Sequence, residues 1–158
     1  METISSVIFW PMRTGAPVDR AQSALEAIAF GSVAITTLAL ATTGLDLTFA
    51  QWRVLVIVGD DPAGATVTEI ATRLGADVSP VSRLVGRAAR RGLVRTSKDD
   101  RDRRVTRVML TDAGTELRET VLDHRRRLLA DVLVEASPID PEVASALDRI
   151  GKSILRYT

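Results

Sequence analysis

The stretch Thr68-Glu69-Ile70-Ala71-Thr72-Arg73-Leu74-Gly75-Ala76-Asp77-Val78-Ser79-Pro80-Val81-Ser82-Arg83-Leu84-Val85 reads as two short amphipathic helices joined by a tight turn. Ile70, Ala71 and Leu74 keep the spacing of one inward face, Val78 falls in the turn, and Val81, Leu84 and Val85 form a second inward face. Gly75 is a natural stop for the first helix. Ser79 is expected to cap the second, with Pro80 at its first position, where a missing N–H costs nothing. Two such helices joined by a four-residue turn cross steeply and share one small core. The second then turns Ser79, Pro80, Ser82, Arg83, Gly86, Arg87 and Arg90 outward. Small residues at its start allow close entry into a major groove, and a helix N-terminus offers N–H groups and partial positive charge to phosphates. Arg83 is long enough to reach a guanine edge with two hydrogen bonds, and Ser82 can reach a base or a phosphate.

Downstream, Gly92 stops the second helix, and Leu93 to Ser97 and Val105 to Leu110 read as strands joined by a polar turn. The turn is Lys98-Asp99-Asp100-Arg101-Asp102-Arg103-Arg104. Asp99 and Asp102 suit pairing with neighbours such as Arg104, which would brace the loop. Arg101 is the choice for a tip that projects into a minor groove, with Lys98 and Arg103 as further phosphate contacts. A solvated charged hairpin is the plainer alternative. Thr111 then caps a long helix to about Glu135, and a last helix starts at Asp140, with Val143, Leu147, Ile150 and Ile154 at helical spacing. His124 interrupts the apolar stripe of Leu117, Val121, Leu128 and Val132; it suits either a pH switch or an ordinary interface residue. Arg125 to Arg127 could reach phosphates, but helix-surface ion pairs with Asp123 or Asp131 suit them better.

Upstream, Thr48 and Gln51 form a capping box before Trp52, Leu55 and Val56, and the helix they open runs to about Val58. Asp60-Asp61-Pro62-Ala63-Gly64 is a turn, and Thr66 or Thr68 caps the helix of Val67 to Leu74. Ala21 to Thr43 reads as one long helix, apolar on nearly every side, which in a chain this small suggests burial between subunits. Met1 to Asp19 shows no sustained period and reads as an arm.

The predicted fold is therefore mainly α with a small two- to three-stranded β wing. It is a winged helix-turn-helix lobe over 47–111, flanked by long helical regions over 20–46 and 112–158, with an arm over 1–19.

Composition sets the boundaries. The 158 residues are 46% hydrophobic, enough for one real core. There is no cysteine, which excludes disulfides and thiolate chemistry, and the single histidine leaves few zinc ligands. No metal or cofactor is expected, and with no nucleophile–base pair or phosphate-cradling glycine loop visible, no catalytic residue is assigned. The apolar run from Ala27 to Ala41 is too short for a membrane span and no signal segment is evident, so a cytoplasmic location is expected. The net charge of +1 hides an asymmetry. Ser79 to Arg107 holds ten Arg or Lys against three Asp; Met1 to Val78 holds four against eight acidic residues, and Val108 to Thr158 seven against nine. Clustered positive charge points to a polyanion partner, though a solvated arginine-rich face would look the same.

The ordered set Leu47-Thr48-x-x-Gln51-Trp52-x-Val54-Leu55, Thr68-x-Ile70-Ala71-x-x-Leu74, Ser79-x-Val81-Ser82-Arg83-Leu84-Val85, Arg91-Gly92-Leu93-Val94, Asp99-x-Arg101-Asp102-Arg103-Arg104 and Leu110-Thr111-x-x-Gly114 resembles the MarR family of regulators. The resemblance covers about Leu47 to Gly114. It implies a homodimer built through the first and last two helices, double-stranded DNA with an inverted-repeat operator as partner, and Arg101 as the wing-tip arginine. It also implies a repressor released by a small lipophilic or phenolic ligand held between the dimer helices and the lobe. Ile35, Leu38, Phe49 and Trp52 are candidates for that pocket, with Trp10 a further one, and each also suits plain core packing. The lack of cysteine removes a peroxide-sensing role. The competing reading is a winged-helix protein-interaction module without DNA binding.

Overall fold

The computed structural model describes residues 16–98, 103 and 105–154. The wing-tip expectations for Asp99, Arg101, Asp102 and Arg104 lie outside the described residues, as does the arm up to residue 15, Trp10 included.

In chain order the elements are α1 (Pro17–Ala41), α2 (Phe49–Gly59), β1 (Ala65–Thr66), α3 (Val67–Leu74), α4 (Val78–Arg90), β2 (Val94–Lys98), β3 (Thr106–Leu110), α5 (Asp112–Glu135) and α6 (Pro141–Ile154). The helix starts follow local chemistry. Thr48 accepts from the Gln51 N–H at 3.3 Å while Gln51 accepts from the Thr48 N–H at 2.9 Å, a complete capping box. Thr66 and Glu69 repeat the device at α3, at 3.1 and 2.7 Å. The reciprocal Glu69 three residues on is what selects Thr66 over Thr68. Its two hydrogen bonds from Thr66 hold the Glu69 carboxyl below its ordinary 4.5, the backbone N–H contributing most. Thr111 caps α5 by accepting from the Gly114 N–H at 3.1 Å and donates to the Gly92 carbonyl at 2.6 Å, so one side chain ties α5 to the end of α4.

The sheet has the order β1-β3-β2, antiparallel throughout, with Val94 opposite Leu110 and Lys98 opposite Thr106. The two-residue β1 pairs Ala65 with Val108, fastening the start of the helix pair to the wing. The core below the sheet joins Leu55 and Val58 of α2, Ile70 of α3, Val81 and Val85 of α4, and Val108 of β3. A second cluster of Ala39, Leu40, Trp52 and Val121 joins α1, α2 and α5. The lobe thus rests on the long helices through Trp52. Gly114 marks the tightest approach: a Cβ there would lie 1.9 Å from the Leu93 carbonyl oxygen.

Three expectations need correcting. α1 begins at Pro17, so the last residues assigned to the arm are helical, Pro17 opening the helix where its ring is tolerated. α4 begins at Val78 with Asp77 as N-cap, not at Ser79. Pro80 therefore sits at the third helical position, where an N–H would again have no intrahelical partner, and Val78 is the first helical residue rather than part of the turn. The 25-residue α1 is also long and apolar enough to cross a membrane by length and composition, so size alone does not exclude a span. Instead it packs along α5.

Candidate nucleic-acid interface and a basic cavity

α4 is divided sharply by burial. Val81, Val85 and Ala88 are buried in the lobe, while Ser79, Pro80, Ser82, Arg83, Arg87 and Arg90 are all exposed along the opposite side. The turn into α4 is held rigidly. Gly75 takes the left-handed conformation (φ 64°), and the Ala76 N–H donates to the Ala71 carbonyl at 3.0 Å, closing α3. Asp77 makes no side-chain capping bond, so the first N–H groups of α4 are not covered by their own cap. At the other end Arg91 donates to the Asp46 carbonyl, tying α4 to the α1–α2 loop.

Beside α4, the wing adds further cations. Lys98 is exposed at the end of β2, and its Nζ donates to Thr106 Oγ1 at 3.1 Å across the hairpin. Arg95 and Arg103 are exposed too. The described part of the basic segment thus carries its charge on two neighbouring elements, an exposed helix face and a hairpin. Among the described residues no group of three or more His, Asp or Glu is placed to hold a metal ion.

A cavity of about 490 Å³ opens between α1, α2 and α5, with α3 at its rim. Phe49 and Trp52, two of the four residues named for a ligand pocket, line it. Ile35 and Leu38 do not. Ser32, Val33 and Thr36 face it instead, and Leu38 is exposed elsewhere on α1. An all-apolar helix carries no phase in its sequence, and only the docking of α1 on α5 sets which side turns inward.

Sequence reasoning missed the arginines of this cavity, Arg53, Arg73 and Arg125. Arg53 is the one charge in α2, a signal that was readable. Arg125 was expected in a helix-surface ion pair; among the described residues it is Arg126 that makes one, with Asp123. Arg125 instead reaches across to α1 and donates to Ser32 Oγ at 3.2 Å. Arg73 bonds Asp60 at 2.6 Å, and Arg118 of α5 holds the other oxygen of the same carboxylate at 3.1 Å. Asp60 therefore links the lobe to the long helices a second time.

Helix-turn-helix, three-stranded wing and flanking long helices together define a winged helix-turn-helix protein. Residues 45–105 match the model of the MarR family. The HTH-type transcriptional repressor IacR of Pseudomonas putida is 33% identical over 84 residues, 53% of this chain and 50% of the repressor. The chain thus spans about half the length of that curated relative in the match. Among solved structures, RV1404 of Mycobacterium tuberculosis superposes with a TM-score of 0.76 at 26% identity, covering 89% of this chain and 95% of the other. CouR of Rhodococcus jostii, solved with p-coumaroyl-CoA, shares the fold with a TM-score of 0.69 at 24% identity, covering 89% and 95%. The similarity to the MarR family thus lies in the winged helix-turn-helix lobe.

Proposed function

We propose that this protein is a homodimeric, sequence-specific regulator that binds duplex DNA in the cytoplasm and represses transcription until a small ligand releases it. The observation that carries the reading is the division of α4: its apolar side locks into the lobe, and its Ser, Pro and Arg side stands free. In this reading α4 enters the major groove and Arg83 reads a base edge, with Ser79 and Ser82 close to the backbone. Pro80 permits close approach. Arg87, Lys98 and Arg103 contact phosphates, and Arg101 takes the minor groove.

The second copy is argued from α6. None of its residues is buried, and Val143, Leu147, Ile150 and Ile154 expose one apolar face. Val132 and Leu133 of α5 and Ile28 and Val33 of α1 add exposed apolar area. Surface of this kind marks an association site. A twofold axis there sets two copies of α4 about one duplex turn apart, roughly 34–36 Å, on an inverted repeat. The ligand reading rests on the cavity between long helices and lobe, and on the bound small molecule in CouR.

The test is a mobility shift with the DNA upstream of the protein's own gene, wild type against Arg83→Ala. The variant is expected to bind about 5- to 150-fold more weakly and to discriminate less between operator and mutated operator. Equal binding would remove Arg83 from base reading. Failure to bind any duplex would leave the protein-interaction module.

A further inference from the structure

We propose that Val78 reads a thymine in the major groove by packing on its C5-methyl group. The inference rests on the DNA-binding reading above and adds a specificity-determining residue that has neither charge nor a hydrogen-bonding side chain.

Val78 is the first residue of α4 and is 48% exposed. Among the described residues between Phe49 and Leu129 it is the one large apolar side chain that stands so far out. Most of the other exposed apolar side chains lie on α1, α5 and α6, where a second copy is proposed to cover them. No such cover is available at the start of α4. Ser82 follows Val78 at i+4, on the same side of the helix, and both it and Arg83 are exposed. Val78 therefore stands at the N-terminal end of the side placed against base edges, the end by which a recognition helix contacts them.

The surroundings of Val78 suit a base and not the backbone. Ala76 and Val78 flank Asp77, and with Thr68 and Thr72 of α3 they border one shallow groove that has no cationic lining residue. Asp77 makes no side-chain capping bond, so its carboxylate is an exposed negative charge beside Val78 that repels a phosphate. A valine offers neither donor nor acceptor. Against adenine, guanine or cytosine it would strip water from polar groups of the base edge and return nothing. Thymine alone presents a methyl group in the major groove, and the two methyl groups of Val78 can cover it.

The experiment uses the full chain and the duplexes it enriches from a random-sequence pool. Each thymine of the enriched site is replaced in turn by deoxyuridine, which removes the C5-methyl and nothing else, and affinity is read by fluorescence anisotropy. The expected result is one thymine per half-site whose replacement weakens binding about fourfold, the worth of one buried methyl group. In Val78→Ala that penalty disappears, and affinity for the thymine site falls by a similar factor. A wild-type scan with no penalty at any thymine would overturn the proposal without recourse to a variant, so the test does not depend on how Val78→Ala folds. A penalty that persists in Val78→Ala would overturn Val78 as the reader. Enrichment of no duplex at all would sink the regulator reading itself, so the two failures are distinguishable.

Discussion

Trp52→Ala tests how the lobe is held on the long helices. The indole is only 3% exposed and is the large side chain in the cluster with Ala39, Leu40 and Val121. Truncating a buried Trp to Ala costs about 3–5 kcal/mol, from lost transfer energy and the void left behind. One side of this indole faces the existing cavity rather than packed atoms, so fewer contacts are lost than at a fully enclosed site. The expected loss is therefore near the lower end, about 3 kcal/mol. Urea unfolding followed by circular dichroism reads it, at one fixed protein concentration, since the proposed association would stabilise the folded chain. DNA affinity should fall as well, since the second tie, the Asp60 ion pairs, is partly exposed and contributes little alone. A loss below about 1 kcal/mol would show that Trp52 is not the junction, and the described packing would be wrong there.

Gly114→Ala should destabilise by about 1–3 kcal/mol in the same urea assay, because its Cβ would meet the Leu93 carbonyl oxygen at 1.9 Å and backbone has to move. Glu69 gives a pH prediction. Its carboxyl is held below 4.5 in the fold, so its contribution is present above that value and is lost as pH falls through the lowered one. Wild type should therefore be more stable than Glu69→Gln at pH 7, with the difference closing in acid; thermal melts from pH 7 to pH 2 check it. Asp60→Ala, which releases Arg73 and Arg118 together, should cost about 1 kcal/mol in stability. It should lower DNA affinity more than that loss alone explains, as measured by fluorescence anisotropy with a labelled operator.

Much of the lobe was legible because its signals are local. Thr48 with Gln51, Thr66 with Glu69, and Gly75 each decide a helix end within four residues of chain. The exposed face of α4 followed from the spacing of Val81, Leu84 and Val85, of which Val81 and Val85 are buried. What escaped depends on distant packing. Pro80 is compatible with more than one position in a first helical turn, so it misplaced the start of α4 by two residues. The two residues of β1 are too few to show alternation and exist only by pairing with Val108 and Arg107. Arg53, Arg73 and Arg125 lie on three helices and converge only when these pack, so no spacing announces the cavity. Ile35 and Leu38 do not line this cavity for the same reason.

The most direct test is the salt dependence of binding between the protein and the operator proposed for it. Phosphate contacts by α4 and the wing predict a steep linear fall of log affinity with log salt, about 0.9 per neutralised phosphate, and Arg87→Ala should flatten the slope by about two units, one per protomer. A slope near zero, or one untouched by Arg87→Ala, would contradict the claim that this exposed basic face grips DNA.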